Sequence, residues 1–236
     1  DLSRRFNAAA ERVQTLMDSQ AALLQSQKSL LANASHELRS PLARIRMAIE
    51  LGGSTASAAA RAEISRSIAE LDLLVDEILL ASRLDAREAD LGTVEPVDLI
   101  GLLAEECARV GAHLDLADGV AQVVVPGVAK LLRRAVRNLL ENAVRHGSRT
   151  GRAGEVSAEL GLAAGHAVLH VDDHGPGVPE DQLPNLAQPF YRPDAARERA
   201  TGGVGLGLYL CKLVAQAHGG SFAVRNARPG LEIMVT

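Results

Sequence analysis

Between Phe6 and Ile78 the apolar residues recur at spacings of three, four and seven, and helices packed side by side are what give such a pattern a common face to bury. Phe6 and Val13 lie seven apart, as do Leu16, Leu23 and Leu30, and as do Met17, Leu24, Leu31, Leu38 and Ile45. These runs predict one long helix over residues 1–51, ended by Gly52-Gly53-Ser54. A second helix over roughly 55–84 carries Ile64, Ile68, Leu71, Val75 and Ile78 at alternating four and three. The apolar face is wider than a two-stranded seam, so two antiparallel helices cannot cover it alone. Two chains pairing into a four-helix bundle would cover it. A monomeric hairpin folded onto the rest of the chain is the alternative.

The helical period fades from Asp85 to Val97, where Gly92 and Pro96 mark a linker with room for one short strand. Beyond it the pattern is mixed. Helices are predicted over about 97–110, 128–146 and 205–217. Strands are predicted over 120–125, 155–162, 166–172, 221–226 and 231–236, with a loop-rich stretch before Gly203. Helices interspersed with hairpin-like strands indicate an α+β sandwich, so the chain reads as multidomain: an all-α hairpin followed by an α+β domain.

Composition excludes several classes. A hydrophobic fraction of 47% in 236 residues suffices for packed cores, and with aromatics at 2% those cores must be Leu, Ile, Val and Ala. A net charge of −4 and a pI near 6.0 give no basis for nucleic-acid binding. Cys107 and Cys211 lie far apart without metal-ligand spacing, as expected of small buried hydrophobes in a reducing compartment. No apolar run reaches the roughly 18 residues of a membrane span.

Chemistry concentrates first in Ser35-His36-Glu37-Leu38-Arg39-Ser40-Pro41-Leu42. At about 100° per residue His36 points away from the Leu38–Ile45 stripe and faces water. Pro41 has no N–H for the Glu37 carbonyl, so a bend is expected one turn past the histidine. Arg39 and Ser40, at i+3 and i+4, share the face of His36.

Three further constellations suit a nucleotide. In Arg137-Asn138-Leu139-Leu140-Glu141-Asn142-Ala143-Val144-Arg145-His146, the apolar face Leu132, Val136, Leu139, Ala143 leaves Asn138, Asn142 and His146 on another face. An asparagine carbonyl suits Mg²⁺, which is hard and prefers oxygen; a plain solvated polar face is the alternative. In Val171-Asp172-Asp173-His174-Gly175-Pro176-Gly177-Val178, a carboxylate at a strand end can accept from the adenine amine while the glycines admit a flat ligand. A simple turn would also explain Gly-Pro-Gly. In Thr201-Gly202-Gly203-Val204-Gly205-Leu206-Gly207-Leu208, backbone N–H groups at a helix start can cradle phosphate. No Lys-Ser/Thr follows Gly207, so this is not a Walker A loop.

The octapeptide around His36 resembles the H-box of sensor histidine kinases, and the other three segments resemble, in order, the N, G1 and G2 boxes of the GHKL ATPases. The resemblance covers about residues 30–236. It implies a dimeric four-helix bundle followed by a Bergerat/GHKL α/β sandwich that binds ATP with Mg²⁺. It implies that His36 is the phosphoacceptor, that Glu37 orients or deprotonates it, and that Ser40, beside Arg39, helps place a water for regulator dephosphorylation. It further implies that Asn142 holds Mg²⁺ and Asn138 supports phosphates and metal, while Asp173 reads adenine. Arg145 would meet phosphate and His146 would stack near the base. Gly175, Gly177, Gly203, Gly205 and Gly207, with Leu206 between the last two, would shape the pocket. Residues 178–201 would form a lid containing Arg197 and Arg199, and Pro189-Phe190-Tyr191-Arg192 resembles the F-box, making Arg192 a phosphate or interdomain contact.

Asn138 stands where gyrase- and Hsp90-like relatives have a water-activating glutamate, which implies slow hydrolysis. Two departures are Val125-Pro126-Gly127-Val128 before the N-box helix, and His146 at a position often occupied by Tyr. Asp1-Leu2-Ser3-Arg4-Arg5-Phe6-Asn7 with Ala10-Glu11-Arg12-Val13 resembles the end of a HAMP linker helix. The expected layout is 1–25 HAMP-like helix, 26–86 dimerisation and phosphotransfer domain, 87–97 linker and 98–236 ATP-binding domain. The expected partners are a second copy and the receiver domain of a cognate response regulator. The expected setting is the cytoplasmic portion of an inner-membrane sensor, with membrane contact only through an absent N-terminal region. A phosphatase-dominant member and a nucleotide-insensitive scaffold are the rival functions.

Overall fold

The computed structural model describes residues 2–52, 58–86, 91–147, 156–193, 203–227 and 229–236. The chain divides into two compact units, Asp1–Ala86 and Arg87–Thr236.

The first unit is a helical hairpin, α1 (Leu2–Gly52) and α2 (Ala58–Asp85). The α-helix is unbroken across Pro41, so the bend expected there does not interrupt the element. The line of burial follows the predicted stripes only in part: Leu30 is buried at 3% exposure, and smaller residues continue the line. Ala34, Pro41 and Ala48 are buried on α1, and Ser67, Leu74 and Ala81 on α2, each set seven residues apart. Leu24 and Leu31, from the predicted stripe, are 51% and 62% exposed, and Leu38 and Ile45 are half-buried. Ile68, Val75 and Leu79 of α2 are exposed as well. Small residues allow close approach of two helix backbones, so the seam inside the hairpin combines them with Leu30, Leu74 and Leu84, while many of the other large apolar residues line its outside. Among the described residues no helix is long and apolar enough to cross a membrane.

The second unit opens with β1 (Glu95–Asp98), then α3 (Leu99–Val110) and β2 (His113–Leu116). β3 (Val124–Gly127) and α4 (Ala129–Gly147) follow, then β4 (Ser157–Ala163) and β5 (His166–Asp172). A 3-10 turn at Leu183–Asn185, α5 (Gly207–Ala217), β6 (Phe222–Asn226) and β7 (Leu231–Val235) complete it. The main sheet has the order β2-β4-β5-β7-β6, parallel between β2 and β4 and antiparallel elsewhere. Ala158, Val171 and Ile233 lie in register across β4, β5 and β7, and with Leu139, Leu140, Leu160, Leu210 and Val214 they form the buried layer between sheet and helices. The opposite face carries His170, Asp172, Arg225 and Glu232. Glu232 pairs there with His170 at 2.6 Å and with Arg225. Burial foremost, then Glu232, pushes the Asp172 carboxyl up, while Arg225 foremost holds that of Glu232 down.

Two strand expectations change. β2 was not expected, and the strand expected over 120–125 lies at Val124–Gly127. Its register is set by antiparallel pairing with β1, where Val97 faces Val125, while the Val123 carbonyl accepts from Leu99 N at 2.9 Å. The Asp98 side chain caps α3 by accepting from Ile100 N, and Gly111 ends that helix in the left-handed conformation at φ 72°.

A charged clamp joins α3 to α4. The Glu106 carboxylate is 2% exposed and receives Arg137 through both oxygens, at 3.0 and 2.9 Å, with Arg109 at 2.9 Å and Arg133 at 3.2 Å. Arg137 foremost, against the opposing effect of burial, holds the carboxyl at about 2. A carboxyl depressed in the folded state stabilises fully above its ordinary range, and that stability is lost as pH falls toward 2. Glu106→Gln should therefore cost about 2 kcal/mol in urea unfolding at neutral pH, a value reduced because the arginines are partly solvated. The gap between variant and parent should narrow below pH 4.5 and be small near pH 2; a gap constant with pH would show that the charge is not what stabilises.

Candidate functional site

On α1 the His36 side chain is exposed, as are Arg39 and Ser40; Glu37 is half-buried and Pro41 buried. His36 therefore stands on the solvent side of a helix whose buried line passes through Ala34 and Pro41. Ser35 Oγ donates to the Leu31 carbonyl at 2.9 Å, while Ser40 Oγ accepts from Arg44 Nη1 at 3.3 Å.

In the second unit three separate segments converge. Asn138 and Asn142 lie one turn apart on α4, both half-buried. Asn138 Nδ2 is buried and, among the described residues, has no hydrogen-bond partner. A donor left so costs on the order of 1–3 kcal/mol, and a ligand acceptor would recover it. A Cβ added to Gly207, at the start of α5, would lie 3.8 Å from Asn138 Cγ, so the N-box helix and the glycine-rich helix start adjoin. One added to Gly203 (φ +106°) would collide with the Arg145 guanidinium, which places that cation over the glycine segment. Gly205 (φ +78°) accepts through its carbonyl from Phe190 N at 3.0 Å, and a Cβ there would fall 2.9 Å from the Tyr191 carbonyl. Phe190 itself sits at φ 63°, a conformation uncommon for an aromatic residue and held by that contact.

The third segment packs on the end of α4. Asp173 is 3% exposed, and its Oδ1 accepts from Gly175 N at 2.9 Å and Leu231 N at 3.1 Å. Gly175 abuts the last turn of α4: a Cβ would lie 2.9 Å from the His146 carbonyl. Gly177 turns instead toward β6, where Asn226 accepts from Val178 N at 3.1 Å and donates to the Val178 carbonyl at 2.8 Å.

The structure thus brings together Asn138, Arg145, His146, Asp173, Gly175, Gly203, Gly205 and Gly207, which are distant in sequence. Asn142 joins them through helix register. Leu206 is fully buried and belongs to the core, so what it can offer a ligand is backbone. Arg192 is half-buried, and Arg197, Arg199, Thr201 and Gly202 lie outside the described residues. Three residues outside the motifs support the site. Asn226 braces Val178. His218 accepts from Val128 N at 3.0 Å just before α4, donating from its other nitrogen to the Val214 carbonyl at 2.8 Å. Glu106 holds Arg137, the neighbour of Asn138. Arg133, Arg137 and Glu141 at i, i+4 and i+8 were the available signal for that clamp.

Residues 26–87 match the family model of the His Kinase A (phospho-acceptor) domain, and residues 127–236 match that of the histidine kinase-, DNA gyrase B- and HSP90-like ATPases. A solved structure of the mycobacterial sensor histidine kinase MprB is 30% identical, with 95% of that chain and 61% of this one covered and a TM-score of 0.50. This chain belongs to the sensor histidine kinases.

As a sensor histidine kinase it joins an α-helical phosphoacceptor region to a GHKL ATP-binding domain. It is 34% identical to the sensor protein RstB of Escherichia coli over 211 residues, covering 87% of this chain and 47% of RstB. The chain thus spans about half the length of the curated relatives it matches. The Acinetobacter baumannii histidine kinase AdeS, at 18% identity, shares the fold over 85% of this chain and 95% of its own, with a TM-score of 0.67.

Proposed function

We propose that the second unit binds ATP with Mg²⁺, that His36 takes the γ-phosphoryl group, and that it passes the group to an aspartate of a response regulator receiver domain. The carrying observation is the convergence of Asn138, Arg145, Asp173 and the glycines of two segments in a chain that also exposes an imidazole on a helix surface.

In this reading an imidazole nitrogen attacks the γ-phosphorus and the bond to the β-phosphate oxygen breaks, with ADP leaving. Glu37 accepts a hydrogen bond from the other ring N–H and steadies the charge that develops there. Arg145 and the backbone N–H groups at the start of α5 hold phosphate, Asp173 accepts from the adenine amine, and His146 lies beside the base. Mg²⁺ would neutralise charge between the phosphates, with the Asn142 carbonyl as its protein ligand. The residues fit the group: two amide side chains one turn apart bring no negative charge toward a triphosphate, and the unpaired Asn138 amide offers a donor. Reaction rests on positioning and charge neutralisation.

Residues 26–86 form the phosphotransfer domain and 98–236 the catalytic domain in this reading. The outward apolar residues of α1 and α2, Leu24, Leu31, Ile68 and Val75 among them, support pairing with a second copy. Ser40, on the face of His36, supports dephosphorylation of the regulator by the same bundle. The chain would be the cytoplasmic portion of an inner-membrane sensor. Asn142→Ala should weaken Mg–ATP binding by at least about tenfold, the loss expected for one metal ligand. Titration calorimetry with and without Mg²⁺ measures it, and an unchanged dissociation constant removes Asn142 from the metal.

A further inference from the structure

Helical hydroxyls commonly donate to the carbonyl four residues back, as Ser35 does to Leu31 and Thr15 to Glu11, each at 2.9 Å. Ser40 behaves differently: its oxygen accepts from Arg44 Nη1 at 3.3 Å. A serine hydroxyl has one proton and two acceptor sites. With one site taken by a guanidinium on the helix surface, the proton and the second lone pair are left for the exposed side that Ser40 shares with His36.

The guanidinium is itself held from α2. Arg44 pairs with Glu70 through Nη2, and its Nε lies 3.6 Å from Glu63 Oε1 and 3.5 Å from the hydroxyl of Ser67, which is 1% exposed. Several partners fix the plane of a planar, five-donor group in a way one could not. The direction in which Ser40 presents its remaining lone pair is thereby set by the register of α2 against α1.

We infer that Arg44 is a positioning residue for Ser40 in hydrolysis of the regulator's aspartyl phosphate, an inference that rests on the function proposed above. In that step the water oxygen joins phosphorus, the bond from the acyl oxygen to phosphorus breaks, and the carboxylate leaves with its electron pair. The two water protons depart with the phosphate. Ser40 accepts a hydrogen bond from the water through the lone pair that Arg44 leaves open, and is not consumed.

The test uses this chain with a receiver domain chosen because it takes labelled phosphoryl from the chain. The forward transfer rate and the rate of receiver dephosphorylation are both measured. Arg44→Met keeps the alkyl stem and removes the donors. It should lower the ratio of dephosphorylation to forward transfer about tenfold, the worth of one well-placed hydrogen bond. Arg44→Lys should fall between the two, and Arg44→Met should add nothing in a Ser40→Ala background. An R44M ratio equal to the parent's, beside a reduced S40A ratio, would overturn the inference. So would additive losses in the double variant, or equal falls in both rates, since Arg44 would then merely staple the helices. A parental ratio in S40A, or the absence of any receiver that accepts label, would instead sink the proposed function.

Discussion

Chains carrying His36→Gln should take up no acid-labile label from γ-labelled ATP, yet bind Mg–ATP within about twofold of the parent. Glutamine is similar in reach and polarity and the position is exposed, so the exchange disturbs no packing and stays within about 0.5 kcal/mol in stability. What it removes is the ring nitrogen with its available electron pair. The loss of labelling is therefore total, while the nucleotide pocket, built in the other unit, is untouched. Label persisting at the parental level would place the acceptor elsewhere.

Asp173→Asn should raise the dissociation constant for ATP about 100-fold, with a much smaller loss of stability in the nucleotide-free chain. The carboxylate's Oδ1 already accepts from Gly175 N and Leu231 N, and an asparagine carbonyl at the same place keeps both bonds, weakened by about 1 kcal/mol for the lost charge. The other oxygen becomes an amide that can only donate, and in the proposed reading it meets the adenine amine, also a donor. An acceptor replaced by a donor costs the bond and the desolvation together, roughly 2–3 kcal/mol, which is the expected factor. Calorimetric titration with ATP reads the effect. Unaltered affinity would take Asp173 out of base recognition.

The two long helices were legible because their repeat persists through tens of residues, and α4 because its apolar face alternates without interruption. The line of contact inside the hairpin was not. Large residues dominate the pattern, yet beside Leu30, Leu74 and Leu84 the buried line takes in Ala34, Ala48, Ser67 and Ala81, and a small side chain carries little signal of where it points. β2 escaped because His113-Leu114-Asp115-Leu116 is four residues of mixed polarity. β3 was placed early because apolar Val120 precedes a register fixed only by distant β1. At the candidate site the motifs gave the residues, and tertiary structure gave what motifs cannot. The Arg145 guanidinium lying over Gly203, the orphaned Asn138 amide, and the bracing of Val178 by Asn226 all depend on contacts between residues far apart in the chain.

The Ala34, Pro41, Ala48 line against Ser67, Leu74 and Ala81 has a mechanical consequence. Interlocking knobs resist twisting because each must climb out of its socket; the methyls of Ala34, Ala48 and Ala81 and the hydroxymethyl of Ser67 present shallow teeth. Along that line little packing opposes a turn of α1 against α2, and the register is held instead by Leu30, Leu74 and Leu84 and by the pairs of Arg44 with Glu63 and Glu70. A roll of a few tens of degrees would carry the imidazole and the serine past any fixed observer in turn. In the proposed reading, a turn of α1 would therefore change which of the two side chains meets a partner.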